Sequence, residues 1–215
     1  MPRVAISLPE SVERVLAIGS HADDIEIGCG GTLLRLARSR PALWVTWVVL
    51  SATGERAEEA RASAEAFLAP CARREVVVHE FRDGFLPYHG GAVKEMFEGL
   101  KRVEPDLILT HSRDDLHQDH RLVGELTWNT WRDHLILEYE IPKYDGDLGS
   151  PNVFVALDGE VVDEKLRLLD RHYVSQRGKH WFDAEVFRGL MRLRGMECAS
   201  RYAEAFFCRK LVLGA

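Results

Sequence analysis

One imidazole and two adjacent carboxylates, His21, Asp23 and Asp24, follow an apolar run from Val12 to Ile18. A second cluster, His117-Gln118-Asp119-His120, comes much later in the chain. Desolvating an unpaired carboxylate at the mouth of a buried strand is unfavourable, and a cation placed there offsets the cost. His21 and Asp24, three apart across a turn, could grip one ion, leaving Asp23 free to handle a proton. The competing reading is that Asp23 and Asp24 cap the helix that follows. The second cluster shifts the balance. His117 and His120 also stand three apart, so a helical turn would place them on one face. If His120 joins His21 and Asp24, two imidazoles and a carboxylate form a three-ligand set with a place left for water, the pattern of catalytic zinc. Such a metal lowers the pKa of its water toward ~7 and polarises a carbonyl beside it.

In that arrangement Asp23 would accept the water's proton. His117 could steady a developing oxyanion or protonate a leaving amine. Asp119 could orient a histidine through its ring N–H, or serve as a plain N-cap for a helix beginning near His120. Two histidines and a carboxylate are also the ligand type of non-haem Fe(II) oxygenases. A base next to a ligand is useful for hydrolysis and unnecessary for O2 activation, which favours a hydrolase. A metal- or sugar-binding protein without turnover would need neither Asp23 nor His117.

These residues must be positioned by the elements around them. Strand patterns at Val12–Ile18, Leu43–Leu50, Glu75–Phe81, Asp106–Thr110 and Leu135–Ile141 alternate with helical patterns at Ile27–Arg40, Ala57–Leu68, Val93–Val103 and about His120–Trp131. Such alternation predicts βαβ units and an α/β fold, a Rossmann-like mostly parallel sheet with helices on both faces. Ligands of open sheets bind beyond the carboxyl ends of the strands. The polar stretches after the first four strands, His21–Glu26, Thr53–Arg56, the loop at Asp83 and His111–His120, therefore converge on one edge. The last third predicts a strand at Val153–Leu157, helices at Asp163–Tyr173 and Ala184–Leu193, and a strand at Ala205–Leu213. Gly28-Cys29-Gly30-Gly31 lies too far past the first strand, and too close to Asp23, Asp24 and Glu26, to cradle a pyrophosphate. Close helix–sheet packing is the expected use of these glycines.

With 215 residues the chain is expected to form one domain, 1–215. The net charge of −6 and scattered basic residues exclude a binder that works by neutralising nucleic-acid phosphates. No apolar block reads as a signal peptide or a membrane span. The four cysteines lack a C-x-x-C pair and are expected to be reduced core residues of a cytoplasmic protein. Trp128 and Trp131 share a helical face that fits a core or an interface equally well, and His79 and His134 read as packed structural residues.

His21-Ala22-Asp23-Asp24-Ile25-Glu26-Ile27-Gly28, with His117-Gln118-Asp119-His120 after a fourth strand, resembles the LmbE-like, or PIG-L, family of zinc-dependent N-deacetylases. The resemblance covers roughly residues 13–131 and takes in Gly54-Glu55-Arg56 and Asp83-Gly84. It implies a Rossmann-like fold and removal of acetyl groups from N-acetylglucosamine-type sugars. By the same resemblance His21, Asp24 and His120 hold zinc or another divalent ion, and Asp23 is the general base. His117 then assists the tetrahedral intermediate, Arg56 and Asp83 contact a small N-acetylated sugar or conjugate, and the chain forms a homo-oligomer. From the residues alone, Arg56 is an ordinary surface pair with Glu55 or Glu59. Ala22 and Gln118 stand where the family usually has prolines, and Leu116 where its thiol-cofactor deacetylases carry an arginine. An amidase acting on a larger thiol- or sugar-linked amide is the alternative within hydrolases. Substrate choice is expected to reside in Lys143–Asp147 and Ser175-Gln176-Arg177.

Overall fold

In the computed structural model, which describes residues 7–212, strand and helix alternate through the first two thirds. The order is β1 (Arg14–His21), α1 (Asp24–Ser39), β2 (Trp44–Ser51), α2 (Gly54–Phe67), β3 (Arg73–Val78), α3 (Gly90–Leu100), β4 (Leu107–His111), α4 (Gln118–Thr130) and β5 (Leu135–Tyr139). β6 (Val153–Leu157), α5 (Gly159–His172), α6 (Ala184–Glu197) and β7 (Tyr202–Phe207) follow. The sheet order is β3-β2-β1-β4-β5-β7-β6. β1 to β5 pair in parallel, whereas β7 runs antiparallel to both β5 and β6. The chain order reverses at β1, where Ala17 lies between Trp47 of β2 and Leu109 of β4. Such a reversal opens a crevice at the carboxyl edge of an open sheet.

β1 is central and covered on both sides, so its apolar residues run without a break. Successive side chains point to opposite faces. Val15 and Ala17 join the core beneath α1, α2, α5 and α6, while Leu16 and Ile18 join the core beneath α3 and α4. Trp128 and Trp131 are buried in the second of these, which makes them core residues. Gly28 sits where α1 crosses β5: a Cβ there would overlap the Tyr139 ring. The glycine serves close packing, as expected, and Tyr139 Oη donates to the Ile18 carbonyl at 2.6 Å. Lys165 on α5 donates to Ile27 O (2.6 Å) and Glu204 (2.7 Å), and Glu204 accepts from the Gly31 and Thr32 amides. This buried, fully partnered group ties α1, α5 and β7 together, and removing one member would strand a charge.

Several boundaries differ from the sequence expectation. α1 begins at Asp24 and α4 at Gln118, earlier than expected, because the histidine–aspartate clusters themselves form the first turns. The last strand is Tyr202–Phe207; the expected strand ran on to Leu213, which lies outside the described residues. Cys29 and Cys71 are buried, but Cys198 and Cys208 are only partly so. His134 is a partly exposed partner of Asp133, not a packed residue. Among the described residues no helix is long and apolar enough to cross a membrane.

Candidate active site

The carboxyl ends of β1, β2, β4 and β5 open into a cleft of about 740 Å³. Its floor carries His21, Asp23, Asp24, His117 and His120. β1 delivers His21 as its last residue, and the turn into α1 then presents the two carboxylates. Asp23 occupies the N-cap position of α1, but its carboxylate makes no capping bond. Asp24 instead reaches back, accepting from the His21 amide at 2.6 Å. The capping reading therefore fails for Asp23. It fails for Asp119 too: the N-cap of α4 is His117, whose Nδ1 accepts from the Asp119 amide at 3.2 Å. Gly124 lets α4 press against the end of β4, since a Cβ there would lie 2.7 Å from the His111 carbonyl oxygen.

Hydrogen bonding decides which ring nitrogens keep a lone pair. His117 Nδ1 accepts a backbone N–H, so the neutral ring carries its proton on Nε2. His120 Nδ1 lies 3.1 Å from Asp115 Oδ2, which places its proton there and frees Nε2. His21 Nε2 lies 3.1 Å from Asp83 Oδ1 and 3.2 Å from Asp119 Oδ2, which leaves Nδ1 facing inward. Asp119 is itself fixed by the Gly84 and Leu86 amides. His21 Nδ1 and His120 Nε2 are 3.1 Å apart, and Asp24 oxygens lie 3.4 Å from the first and 3.5 Å from the second. Donors sharing one tetrahedral zinc at about 2.0–2.1 Å stand roughly 3.3 Å from one another, so the donor types and spacings fit such an ion. His21/His117/His120, Asp24/His111/His120 and His21/Asp83/Asp119 are also close enough to ligate. The first two sets each need a nitrogen already committed elsewhere: His117 Nε2 bears a proton, and His111 Nε2 accepts from Ser20 N at 3.0 Å. In the third, Asp119 is already tied to the Gly84 and Leu86 amides and Asp83 is largely exposed.

The electrostatics favour a cation at this point. Burial alone would lower the His21 pKa, but Asp24, Asp119 and Asp83 outweigh it and raise it well above the ordinary value. Burial alone would raise Asp24, but His120, His111 and His21 hold it well below the carboxylate range. Burial, with His111 alongside, pushes His120 down to about 4, so its ring is neutral at neutral pH. Burial pushes Asp23 up to about 6 against the pull of Arg56, whose guanidinium lies 3.2 Å from Asp23 Oδ2. Arg56 also pairs with Glu59 at 3.3 Å, so the surface-pair reading was right about one partner and missed the other.

Two residues in the site were not singled out from the sequence. Asp115, five residues before His120, contacts its ring and accepts from Lys143 Nζ at 2.9 Å. Burial opposes its charge, yet His120 and Lys143 hold its pKa far below the usual range. His111 is fully buried behind Asp24 and His120. The spacing of Asp115 to His120 is the only sequence signal that could have revealed the first; His111 ends β4, which is the signal for the second. Leu116 is exposed, with its amide held by Asp147 at 2.8 Å.

Residues 16–131 match the PIG-L family, described as GlcNAc-PI de-N-acetylase. The uncharacterized deacetylase YaiS of Escherichia coli is 30% identical over 173 residues, which is 74% of this chain and 89% of YaiS. N,N′-diacetylchitobiose deacetylase of Pyrococcus horikoshii, solved with an inhibitor, superposes with a TM-score of 0.74 at 21% identity, over 93% of this chain and 84% of that one. GalB, the 4-carboxy-2-hydroxymuconate hydratase of Pseudomonas putida, superposes with a TM-score of 0.77 at 17% identity, over 94% and 98%. At these identities the two structures establish the fold and not the reaction. With both histidine–aspartate clusters inside the matched span, the chain belongs to the PIG-L, or LmbE-like, family.

Proposed function

We propose that the protein is a zinc-dependent N-deacetylase that hydrolyses the acetamide of an N-acetylglucosamine-type sugar or sugar conjugate. The observation that carries this reading is the triangle of His21 Nδ1, His120 Nε2 and the Asp24 carboxylate, with Asp23 beside it on the floor of an open cleft. Family membership and the names of YaiS and the chitobiose deacetylase support the same chemistry. When bound at that triangle, zinc supplies Lewis acidity that polarises an acyl oxygen and acidifies water.

The chain's own groups then divide the work. Asp119 and Asp83 orient His21, and Asp115 orients His120, each by accepting the ring N–H that faces away from the triangle. Asp23 takes a proton from the attacking water and returns it to the departing amine. Arg56 keeps Asp23 ionised and aimed. His117, neutral with its proton on Nε2, donates to the oxyanion that forms on the acetyl carbon. Its pKa is lowered by burial and by His21, which suits a neutral donor better than an acid that protonates the amine. Arg56 and Asp83 at the cleft wall contact sugar hydroxyls.

The test is a screen of N-acetylated sugars with the zinc-loaded protein, scored by acetate and free amine. Acetate release under anaerobic conditions is expected. Turnover only with Fe(II) and consumption of O2 would make the protein an oxygenase, and binding of metal and sugar without product would make it a binder. GalB shares the fold, so the assay and not the architecture decides the reaction.

A further inference from the structure

The last third of the chain supplies no group to the triangle, yet it reaches Asp23 through one buried carboxylate. Glu59, on the second turn of α2, is about 9% exposed. Its Oε1 accepts from the Ser175 amide at 2.8 Å, and its Oε2 accepts from Ser175 Oγ at 2.6 Å. The same Oε2 lies 3.3 Å from Arg56 Nη1, while Arg56 Nη2 lies 3.2 Å from Asp23 Oδ2. The Arg56 guanidinium rests 5.1 Å from the centre of the Tyr173 ring, and Tyr173 Oη donates to Glu26 at 2.5 Å. Ser175 belongs to the tight turn Val174–Gln176, and that turn leads into Gln176, Lys179 and Trp181, which line the cleft.

From this geometry we infer that Glu59 is a positioning residue that sets two things at once: the Arg56 guanidinium that aims Asp23, and the 174–181 wall of the cleft. The physical reason is that a guanidinium between two carboxylates has one well-defined place, whereas a guanidinium facing Asp23 alone could swing toward solvent. Arg56 is 26% exposed at its side chain, so water is available to receive it. A carboxylate that accepts two hydrogen bonds from one residue also fixes that residue's backbone and side chain together. Glu59 does both with its two oxygens. The inference rests on the proposed role of Asp23 for its kinetic consequence, but not for its structural one.

Three variants test it. In a crystal structure of the metal-loaded Glu59→Gln protein, Arg56 is expected to leave Asp23 and the 174–176 turn to shift, with His21, Asp24 and His120 in place. This measurement requires no turnover, so it tests the inference even if the deacetylase reading fails. Arg56 still within ion-pair distance of Asp23, with the turn unmoved, would overturn the inference. With N,N′-diacetylchitobiose, or whichever N-acetylated sugar the wild-type protein turns over, Glu59→Gln is expected to lower kcat by about 10- to 100-fold, the cost of misplacing a reacting group, and to raise KM. Ser175→Ala should raise KM alone, because it loosens the wall and leaves Glu59 on Arg56. Glu59→Asp should recover part of the kcat. A merely structural role would lower apparent kcat only in proportion to the folded fraction, read by circular dichroism at the assay temperature, with KM unmoved, and that pattern would also overturn the inference.

Discussion

The ring of His111 lies flat on the ring of His120, with centroids 3.9 Å apart and planes 16° from parallel, and its Nε2 sits 3.1 Å from Asp24 Oδ2. Because that Nε2 accepts from Ser20 N at 3.0 Å, it gives Asp24 no hydrogen bond, and His111 acts on the proposed ligand set through its stack on His120. Asp115 contacts His120 alone, at the Nδ1 edge of its ring, 3.1 Å away. Groups that orient ligands cost about 10- to 100-fold in metal affinity when removed. His111→Asn and Asp115→Ala are each expected to lower zinc affinity on that scale, measured by competition with a chromophoric chelator. Unchanged affinity in both would show that these contacts are packing alone.

The ligands themselves should behave differently. His21→Ala and His120→Ala are expected to lose most bound zinc while the chain stays folded, because the remaining two donors cannot complete the set. Metal analysis alongside circular dichroism reads this directly. Full occupancy in His120→Ala would remove His120 from the ligand set.

Asp23 separates a catalyst from a binder. Asp23→Asn preserves shape and removes the base, and general-base catalysis is typically worth ~10²–10⁴-fold. The expected outcome is a loss of kcat/KM on that order with zinc retained. Loss of zinc instead would mean that Asp23 is a ligand and that Asp24 must be reassigned.

The packing of α1 sets where the first cluster points, and Gly28 is the contact to probe. Gly28→Ala would drive a methyl group into the Tyr139 ring, which is fully buried and held by its bond to Ile18. Overpacking of this kind typically costs about 1–3 kcal/mol. A chemical-denaturation midpoint equal to wild type would show that the ring can move aside at no cost.

Much of this protein was legible in the order of its residues. Continuous apolar runs and apolar helical stripes placed the alternating elements, and alternation implies parallel strands whose polar loops share an edge. Those facts alone gathered His21, Asp24, His117 and His120. Local patterns carry this information because a buried strand must be apolar throughout and a covering helix must be apolar on one stripe. The family resemblance rested on the same two clusters, and the matched residues 16–131 span both.

Other features were decided only by the tertiary structure. The Asp23 carboxylate makes no capping bond and lies instead 3.2 Å from Arg56, which belongs to a different helix. The tautomers of His21 and His120 depend on Asp119 and Asp115, and nothing in the spacing of a loop says which carboxylate will meet which ring. β7 returns antiparallel to β5, setting Phe207 opposite Glu138, and the tie from Ser175 to Glu59 joins residues 116 positions apart. A sequence sets what each residue can donate or accept. Which partner it finds is settled when distant segments compete for the same buried polar atoms, and only the folded chain resolves that competition.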